Sequence, residues 1–284
     1  MGHHHGHNHN SDTKNLAIAF LLNLSFTIIE IIGGFFTNSV AILSDAIHDL
    51  GDTFSLGLAW YFQKISKRER TSEFSYGYKR YSVLGALING LILFAGCIFI
   101  FTETIPRLMH PEDVDPFGMM FLSILGIVIN SLAVLRLKKG TSLNERVVYL
   151  HLLEDVLGWV AVFIGAIVIL IWDLKIIDPI LSIAIALYIL FNIYKNLKST
   201  LKVILQQTPD NVDFEKVQAF LRSKEQFISV QDLHVWSLDG EYNIMTVNIK
   251  VNDSIPLSDA TKLKDALKKE LLKFNIHHAT IEFC

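Results

Sequence analysis

Cysteine is scarce in this chain, and motifs that would mark a secreted protein or a zinc protease are absent. The 284 residues include only two cysteines, Cys97 and Cys284, which excludes a disulfide framework. No His-Glu-x-x-His sequence occurs, so the helix motif of many zinc proteases is missing. The first residues lack the basic start and the cleavage site of a signal peptide, so we expect the N-terminus to be retained.

The net charge of this chain says little about its partners, whereas its apolar content indicates its class of protein. The formal net charge is −3, and we predict no nucleic-acid partner. Apolar residues make up 51% of the chain and the mean hydropathy is +0.39, which is too apolar for an ordinary soluble protein. They fall in blocks before about residue 205, and the remainder has a soluble composition.

Six apolar stretches are each long enough to cross a bilayer as a helix rising 1.5 Å per residue. We place these spans at Asn15–Phe36, Ser39–Phe62, Tyr81–Glu103, Pro116–Leu137, Leu143–Trp172 and Pro179–Leu197. Basic residues gather in the loops that follow the second and fourth spans and behind the sixth. By the positive-inside rule, both termini are therefore expected in the cytoplasm. The short loops are compatible with a bacterial inner membrane.

The last 79 residues predict a small domain of helices and strands. In order, we predict a helix at Val212–Ser223, strands at Phe227–Trp236 and Asn243–Val251 joined by the turn Asp239-Gly240-Glu241, a helix at Ser258–Lys273 capped by Ser258, and a strand at His278–Phe283. This order is typical of an α+β domain with helices on one face of a sheet. The predicted domains are therefore a disordered tail (1–14), a membrane domain (15–205) and a cytoplasmic domain (206–284).

The segment Ser44–Asp52 places ionisable side chains inside a stretch apolar enough to span a bilayer. His48 and Asp52 are four residues apart, and so are His151 and Asp155 in a later span. This spacing puts both side chains of each pair on one helix face. Ionisable groups at membrane depth are costly and normally mark an ion or proton path. The pairs together supply two imidazoles and two carboxylates, which is enough for one tetrahedral metal site.

Asp45 and Asp49 lie close to the same face as His48. Asp45 precedes His48 by three residues, so we expect it to support the ligands from outside, and Asp49 is given the same role. Imidazole and carboxylate ligands suit zinc, and also cobalt or iron(II), better than copper(I). Because histidine must be neutral to bind a metal, metal loading is expected to release protons. The alternative is that each side chain satisfies a local buried polar group.

Several further motifs accompany the two His-x-x-x-Asp pairs. They are the His-rich start, Ser44-Asp45-Ala46 before His48, Phe74-x-Tyr76-Gly77-Tyr78-x-Arg80, Val83–Asn89, Thr208-Pro209 and Asp232–Trp236. With them, nearly the whole chain resembles the cation diffusion facilitator family of dimeric zinc-type metal/proton antiporters. The resemblance implies six transmembrane helices, a cytoplasmic ferredoxin-like domain and a homodimer. It also implies a transport site made of His48, Asp52, His151 and Asp155.

The chain departs from some members of that family in its accessory metal sites. The loop Gln63–Arg80 has no histidine, so the second metal site that some relatives bind there is expected to be absent. In the cytoplasmic domain, Gln231 and Asn248 stand where histidines are common. A remaining candidate zinc site there consists of His234, His277 and Cys284, completed by N-terminal histidines of a partner chain. The alternative is a solvated sheet edge.

The N-terminal segment Met1–Asn10 contains five histidines interrupted by glycine and asparagine. We interpret it as a native, disordered tail that collects metal ions, with an expression tag as the alternative.

These observations predict a transporter that exports a divalent metal, first of all Zn²⁺, in exchange for protons by alternating access. Zn²⁺ is expected as cargo and as a structural or regulatory ion. Fe²⁺, Co²⁺, Mn²⁺ and Cd²⁺ share part of this ligand preference. The predicted partners are metal ions, protons, the bilayer and a second copy of the chain. The alternatives are a metal sensor, an uncoupled metal channel and, with least support, a membrane metalloenzyme, because four protein ligands would close the zinc site to a substrate.

Overall fold

Six long helices precede a smaller set of helices and strands. The computed structural model describes residues 9–66, 70–137, 143–251 and 256–284. The elements are α1 (His9–Thr37), α2 (Val40–Ser66), α3 (Tyr81–Met109), α4 (Pro116–Leu137), α5 (Leu143–Trp172), α6 (Ile177–Ile204), α7 (Phe214–Arg222), β1 (Phe227–Ser237), β2 (Asn243–Val251), α8 (Leu257–Leu271), a 3-10 turn (Leu272–Phe274) and β3 (Ile276–Phe283).

The long helices agree with the predicted spans at most ends and extend beyond them at others. Helices α4 and α5 begin and end at the predicted residues. Helix α1 begins at His9 rather than Asn15, so residues 9–14 of the predicted tail are helical and not disordered. Helix α6 continues to Ile204, past the predicted end at Leu197. A helix does not have to stop where its apolar stretch stops, because its backbone hydrogen bonds are internal.

Three described helical segments are long and apolar enough to cross a membrane. They are Tyr81–Met109, Leu153–Trp172 and Ile177–Ile204. Two shorter apolar stretches, Leu24–Thr37 and Pro116–Leu132, lie in α1 and α4. Helix α2 is not among them, and it carries Asp45, Asp49 and Asp52 in its first half. The residues that predict a site in α2 are the same ones that lower its hydropathy.

The chain divides into two compact units. The first, here called the helical unit, consists of Met1–Tyr61 and Ile88–Lys195. The second, here called the sheet unit, consists of Phe62–Leu87 and Asn196–Cys284. The sheet unit therefore includes the α2–α3 loop and the last turns of α6 in addition to the predicted cytoplasmic domain.

The core of the helical unit is built around Trp159 of α5, which is fully buried. Its ring meets Phe26 of α1 edge-to-face, with ring centroids 5.9 Å apart. Gly126 of α4 allows this approach, because a Cβ atom there would lie 2.4 Å from Cδ2 of Trp159. A glycine on α4 thus lets two helices pack closely around a large aromatic ring.

The sheet unit contains a three-stranded mixed sheet in the order β1-β2-β3. Strands β1 and β2 are antiparallel, with Val235 opposite Met245, and β2 and β3 are parallel. The predicted turn between β1 and β2 is present, and Gly240 has a φ of +96° there, which glycine adopts without strain. Helices α7 and α8 contribute to the same apolar core as the sheet, through Val217, Leu221, Leu267 and Leu271.

Two local predictions in the sheet unit are wrong. Ser258 does not cap α8, because the helix begins at Leu257 and Pro256 occupies the cap position without a side-chain hydrogen bond. The fixed φ of proline favours the start of a helix without a polar cap. Strand β3 begins at Ile276 rather than His278, so His277 lies inside the strand.

Candidate metal site

Helices α2 and α5 bring three of the four predicted ligands together. His48 and Asp52 lie one turn apart on α2, and Asp155 lies on α5. Nε2 of His48 is 3.9 Å from Oδ2 of Asp52 and 3.9 Å from Oδ1 of Asp155. These distances are too long for hydrogen bonds. Zinc bonds of about 2.0–2.2 Å place two donors of a tetrahedral ion about 3.4 Å apart, so small side-chain movements would enclose one ion.

The fourth predicted ligand, His151, belongs to α5 one turn before Asp155. Its side chain lies outside the described residues. Within the described part of the chain, no group of three or more His, Cys, Asp or Glu side chains is arranged to hold a metal ion. The three described side chains therefore meet as two pairs that share the His48 imidazole.

Burial differs among the acidic residues of α2 and α5. The side chains of His48, Asp52 and Asp155 are 17%, 28% and 11% exposed. Asp45 and Asp49 are buried, with 6% and 7% of the whole residue exposed. Ionisable groups buried in an apolar helix are costly and normally face a partner or mark a functional site.

The two predicted supporting aspartates point in different directions. Asp45 faces α5, where its Oδ1 atom lies 3.8 Å from the position that a Cβ atom of Gly158 would occupy. Asp49 interacts electrostatically with Glu30 of α1. Asp49 also interacts electrostatically with His48, and Asp45 with Asp155 and Asp52, so the supporting role of both residues stays a prediction.

Glu30 is a buried acidic residue that the sequence did not assign to the site. The structure buries it to 1% exposure. The available signal was the pair Thr27 and Glu30, which lie on one face of α1 because they are three residues apart.

The N-terminus of α2 is capped by a side chain from a different helix. Asp178, in the first turn of α6, accepts hydrogen bonds from Oγ of Ser39 (2.5 Å) and from the backbone N–H groups of Val40 (2.9 Å) and Ala41 (3.3 Å). A carboxylate at this position satisfies N–H groups that have no partner within their own helix. Asp178 was missed because nothing in the sequence relates α6 to the start of α2.

One turn further along, a buried chain of hydroxyl groups continues this contact. Oγ of Ser182 lies 2.6 Å from Oγ of Ser44 and 2.9 Å from Oγ1 of Thr104. These bonds join α6 to α2 and α3. The hydroxyl of Ser44 lies one turn before His48, so α6 fixes the part of α2 that carries the site.

The second candidate site, His234, His277 and Cys284, is not assembled within one chain. His277 lies near the start of β3 and Cys284 follows its end. Cys284 lies seven positions after His277, and at about 3.3 Å per position this is roughly 23 Å. A zinc ion lies only about 2 Å from each ligand, so these two side chains cannot share one. Whether His234, His277 and Cys284 bind zinc with ligands from a partner chain stays a prediction.

The histidines of this second set have local partners in the sheet unit. A bulge in β1 gives Asp232 a φ of +52° and brings its Oδ1 atom to 2.9 Å from Nε2 of His234. His277 stacks on Tyr242 with ring centroids 5.2 Å apart, and its Nδ1 atom accepts a hydrogen bond from the N–H group of Asn243. The side chains of the N-terminal histidines lie outside the described residues.

Two family descriptions match this chain and together cover almost all of it. Residues 16–205 match the cation efflux transmembrane domain. Residues 209–284 match the cytoplasmic domain of cation efflux proteins. The junction between the two matches falls close to the predicted boundary at residue 205.

Bacterial metal transporters are similar to this chain over nearly their full length. A cadmium, cobalt and zinc/H(+)-K(+) antiporter of Bacillus velezensis is 35% identical over 99% of this chain and 91% of its own. The metal cation efflux system protein CzcD of Cupriavidus metallidurans is 35% identical over 100% of this chain and 90% of its own. The zinc transporter ZitB of Escherichia coli is 32% identical over 99% of this chain and 92% of its own.

Proposed function

We propose a function for this chain from one premise: it belongs to the cation diffusion facilitator family, whose members carry metal ions across membranes. It is accordingly a membrane metal-efflux transporter and not an enzyme. The finer proposal is that it exports Zn²⁺ in exchange for protons through an intramembrane site of His48, Asp52, His151 and Asp155. The observation that carries this proposal is the position of the His48 imidazole, 3.9 Å from two carboxylates on two different helices.

The chemistry of the site favours zinc. One imidazole and two carboxylates on α2 and α5 combine a borderline nitrogen donor with hard oxygen donors, which suits Zn²⁺ better than copper(I). His151 would complete a four-coordinate set. A closed set of four protein ligands suits binding and release of an ion and leaves no open position for catalysis.

Proton exchange follows from the same ligands. Imidazole titrates near neutral pH, and a protonated imidazole cannot bind a metal ion. Protons that enter from the outer side would therefore displace the metal there, and metal arriving from the cytoplasm would displace the protons. Access to the two sides must alternate, because a site open to both would leak.

The remaining architecture of the proposal is six membrane spans with both termini in the cytoplasm. The sheet unit would then form a cytoplasmic domain of ferredoxin-like type. The match to the cytoplasmic domain of cation efflux proteins supports a homodimer assembled through this domain. The proposed location is the cell (inner) membrane.

Proteoliposomes with a pH dye inside provide the test. Adding Zn²⁺ outside wild-type vesicles should move zinc and protons in opposite directions. The Asp52→Ala variant should move neither, whereas Glu154→Gln should behave as wild type, because Glu154 is exposed and its carboxylate accepts a hydrogen bond from Tyr188. Zinc movement without proton movement would indicate an uncoupled channel. Stoichiometric zinc binding without flux would indicate a sensor.

A further inference from the structure

Helix α6 contacts both of the helices that carry the proposed metal site. Asp178 and Ser182 lie four residues apart on α6, and both bond to α2. Ile177 and Leu181, also four residues apart, pack against α5 at Gly165. A Cβ atom on Gly165 would lie 2.4 Å from Cδ1 of Leu181 and 3.3 Å from Cγ2 of Ile177. The glycine therefore lets α6 lie close to α5 while α6 bonds to α2.

These contacts lie on the same side of the site. Asp45 of α2 lies near Gly158 of α5, and His48 lies near Asp155. Residue numbers thus rise on α2 as they fall on α5, so the two helices are antiparallel. Gly165 comes ten residues after Asp155, which is about 15 Å along α5 at 1.5 Å per residue. The first turns of α2 and the second half of α5 are therefore joined through α6.

The hydroxyl chain between α6 and α2 has one proton for each of its bonds. Oγ of Ser44 donates to the carbonyl oxygen of Val40 at 2.8 Å, so it must accept from Ser182. Ser182 then accepts from Thr104. All three hydroxyl residues are fully buried. A buried network in which every hydroxyl has a partner favours one arrangement of the helices that it joins.

The metal site depends on the spacing between α2 and α5. Nε2 of His48 on α2 lies 3.9 Å from Oδ1 of Asp155 on α5. Two donors of a tetrahedral zinc ion lie about 3.4 Å apart, so this spacing is close to what zinc requires. Divalent metals that share ligand types are distinguished largely by geometry. A site held to within about 0.5 Å therefore favours an ion of the fitting size.

We propose that Ser182 and Asp178 are positioning residues that hold α2 against α5 and thereby favour Zn²⁺ over the larger Cd²⁺. Neither residue belongs to the ligand set. Asp178 holds the first turn of α2, and Ser182 holds the turn before His48. The inference rests on the proposed metal site and adds what determines its selectivity.

The test compares Ser182→Ala with Ser123→Ala as a matched control. Ser123 of α4 is equally buried, but its hydroxyl donates to the carbonyl oxygen of Met120 in its own helix. Zinc and cadmium binding are measured by titration calorimetry on detergent-solubilised full-length protein. Only binding that Asp52→Ala loses is assigned to the site, which excludes metal held by the N-terminal histidines. Co²⁺ is the spectroscopic probe, because its visible absorption is much stronger in a tetrahedral site than in a six-coordinate one.

We expect Ser182→Ala to lower the ratio of zinc affinity to cadmium affinity at least fivefold and to weaken the tetrahedral Co²⁺ absorption. Ser123→Ala should match wild type in both. A wild-type ratio and spectrum in folded Ser182→Ala would overturn the inference. An equal change in Ser123→Ala would also overturn it, because the effect would then come from the loss of any buried hydroxyl.

Two further variants separate the bonds of Ser182 and cover the case in which Ser182→Ala does not fold. Ser44→Ala removes the bond to α2 and should reproduce the lowered ratio. Thr104→Val keeps the shape of threonine and removes only the bond to α3, which carries no proposed ligand, so it should leave the ratio unchanged. The reverse pattern, or an unchanged ratio in both variants, would contradict the inference.

Asp178 is tested by Asp178→Asn, which keeps the shape of the side chain but replaces an acceptor oxygen with a donor at the start of α2. The affinity ratio should fall at least threefold, and a wild-type ratio would overturn the role of Asp178. If Asp52→Ala binds zinc as wild type does, the proposed metal site itself fails. If Asp52→Ala loses zinc binding and Ser182→Ala keeps wild-type selectivity, only the positioning role fails.

Discussion

The two units of this protein hold the same kinds of side chain in opposite environments. In the helical unit, His48 and Asp155 are 17% and 11% exposed and lie 3.9 Å apart. In the sheet unit, His234 and Asp232 are each 64% exposed and lie 2.9 Å apart. One histidine–aspartate pair is thus mostly buried and held too far apart for a hydrogen bond, whereas the other is mostly in water and close enough for one.

This difference in exposure distinguishes a candidate binding site in the helical unit from an exposed surface pair in the sheet unit. The exposed pair satisfies its own hydrogen bonds and is screened by solvent, so it has no need of an ion. The buried carboxylates are screened less by solvent, and a bound cation would stabilise them. The same residue types therefore support the proposed metal site in one unit and ordinary surface chemistry in the other.

The largest effect is expected from removing a buried carboxylate of the site. Asp155→Ala should lower zinc affinity and zinc transport by more than about 100-fold, since loss of a group outside the ligand set alone typically costs 10- to 100-fold. Zinc titration and vesicle flux measure this. Asp173→Ala, an exposed aspartate just beyond the end of α5, is the control. If Asp155→Ala and Asp173→Ala transported zinc equally well, the buried Asp155 would matter no more for transport than an exposed aspartate.

A smaller effect is expected from disturbing the packing of the helical unit around Trp159. In Gly126→Ala the new Cβ atom would lie 2.4 Å from the Trp159 ring, so one helix must shift, at a cost of about 1–3 kcal/mol. Gly158→Ala is the matched control, because its nearest neighbour is 3.8 Å away. Thermal unfolding of the solubilised protein should show a lower midpoint only for Gly126→Ala. A normal midpoint would mean that the bundle has room to adjust.

In the sheet unit, removal of the Asp213 side chain at the start of α7 should have a weak and pH-dependent effect on the stability of that helix. Asp213 accepts a hydrogen bond from the Lys216 N–H group, and the Lys216 ammonium group lies 2.9 Å away. The bond and ion pair with Lys216 lower the pKa of Asp213. A lowered pKa stabilises the fold above the unfolded-state pKa of about 3.9 and ceases to do so as pH falls through the folded-state value.

Asp213→Ala should therefore speed hydrogen exchange of the α7 amides roughly two- to tenfold near neutral pH. The difference from wild type should shrink below about pH 4, where the carboxyl group becomes protonated in the wild type. Lys262→Ala, which removes an exposed ion pair at α8, is a control for general charge effects. A difference that persists at low pH would mean that Asp213 acts through its shape and not through its charge.

The smallest effect is expected at the candidate ligands of the sheet unit. Cys284→Ser and His234→Ala should each transport zinc within about twofold of wild type, because these side chains are exposed and His277 and Cys284 are too far apart to share an ion. Vesicle flux at limiting zinc checks this. A tenfold loss in Cys284→Ser would show that the sheet unit binds metal after all, with ligands from a second chain.

Helix periodicity carried much of the prediction of the site. The spacing of His48 and Asp52 placed them on one face of α2, and the structure has them there. The relation between His48 and Asp155 could not follow from spacing, since it depends on how α2 packs against α5. The cap that Asp178 of α6 provides at the start of α2 could not be predicted from the sequence either, because only the fold brings Ser39 and Asp178 together.

By itself, the sequence determined the six long helices, the hairpin of the sheet unit and the residue types of the metal site. Each of these depends on patterns within a few residues of chain, where hydropathy and spacing act directly. Only the tertiary structure decided that Glu30 faces Asp49 and that His277 and Cys284 lie at opposite ends of one strand. Those outcomes depend on packing between segments distant in sequence, and no local pattern encodes which buried charge faces another.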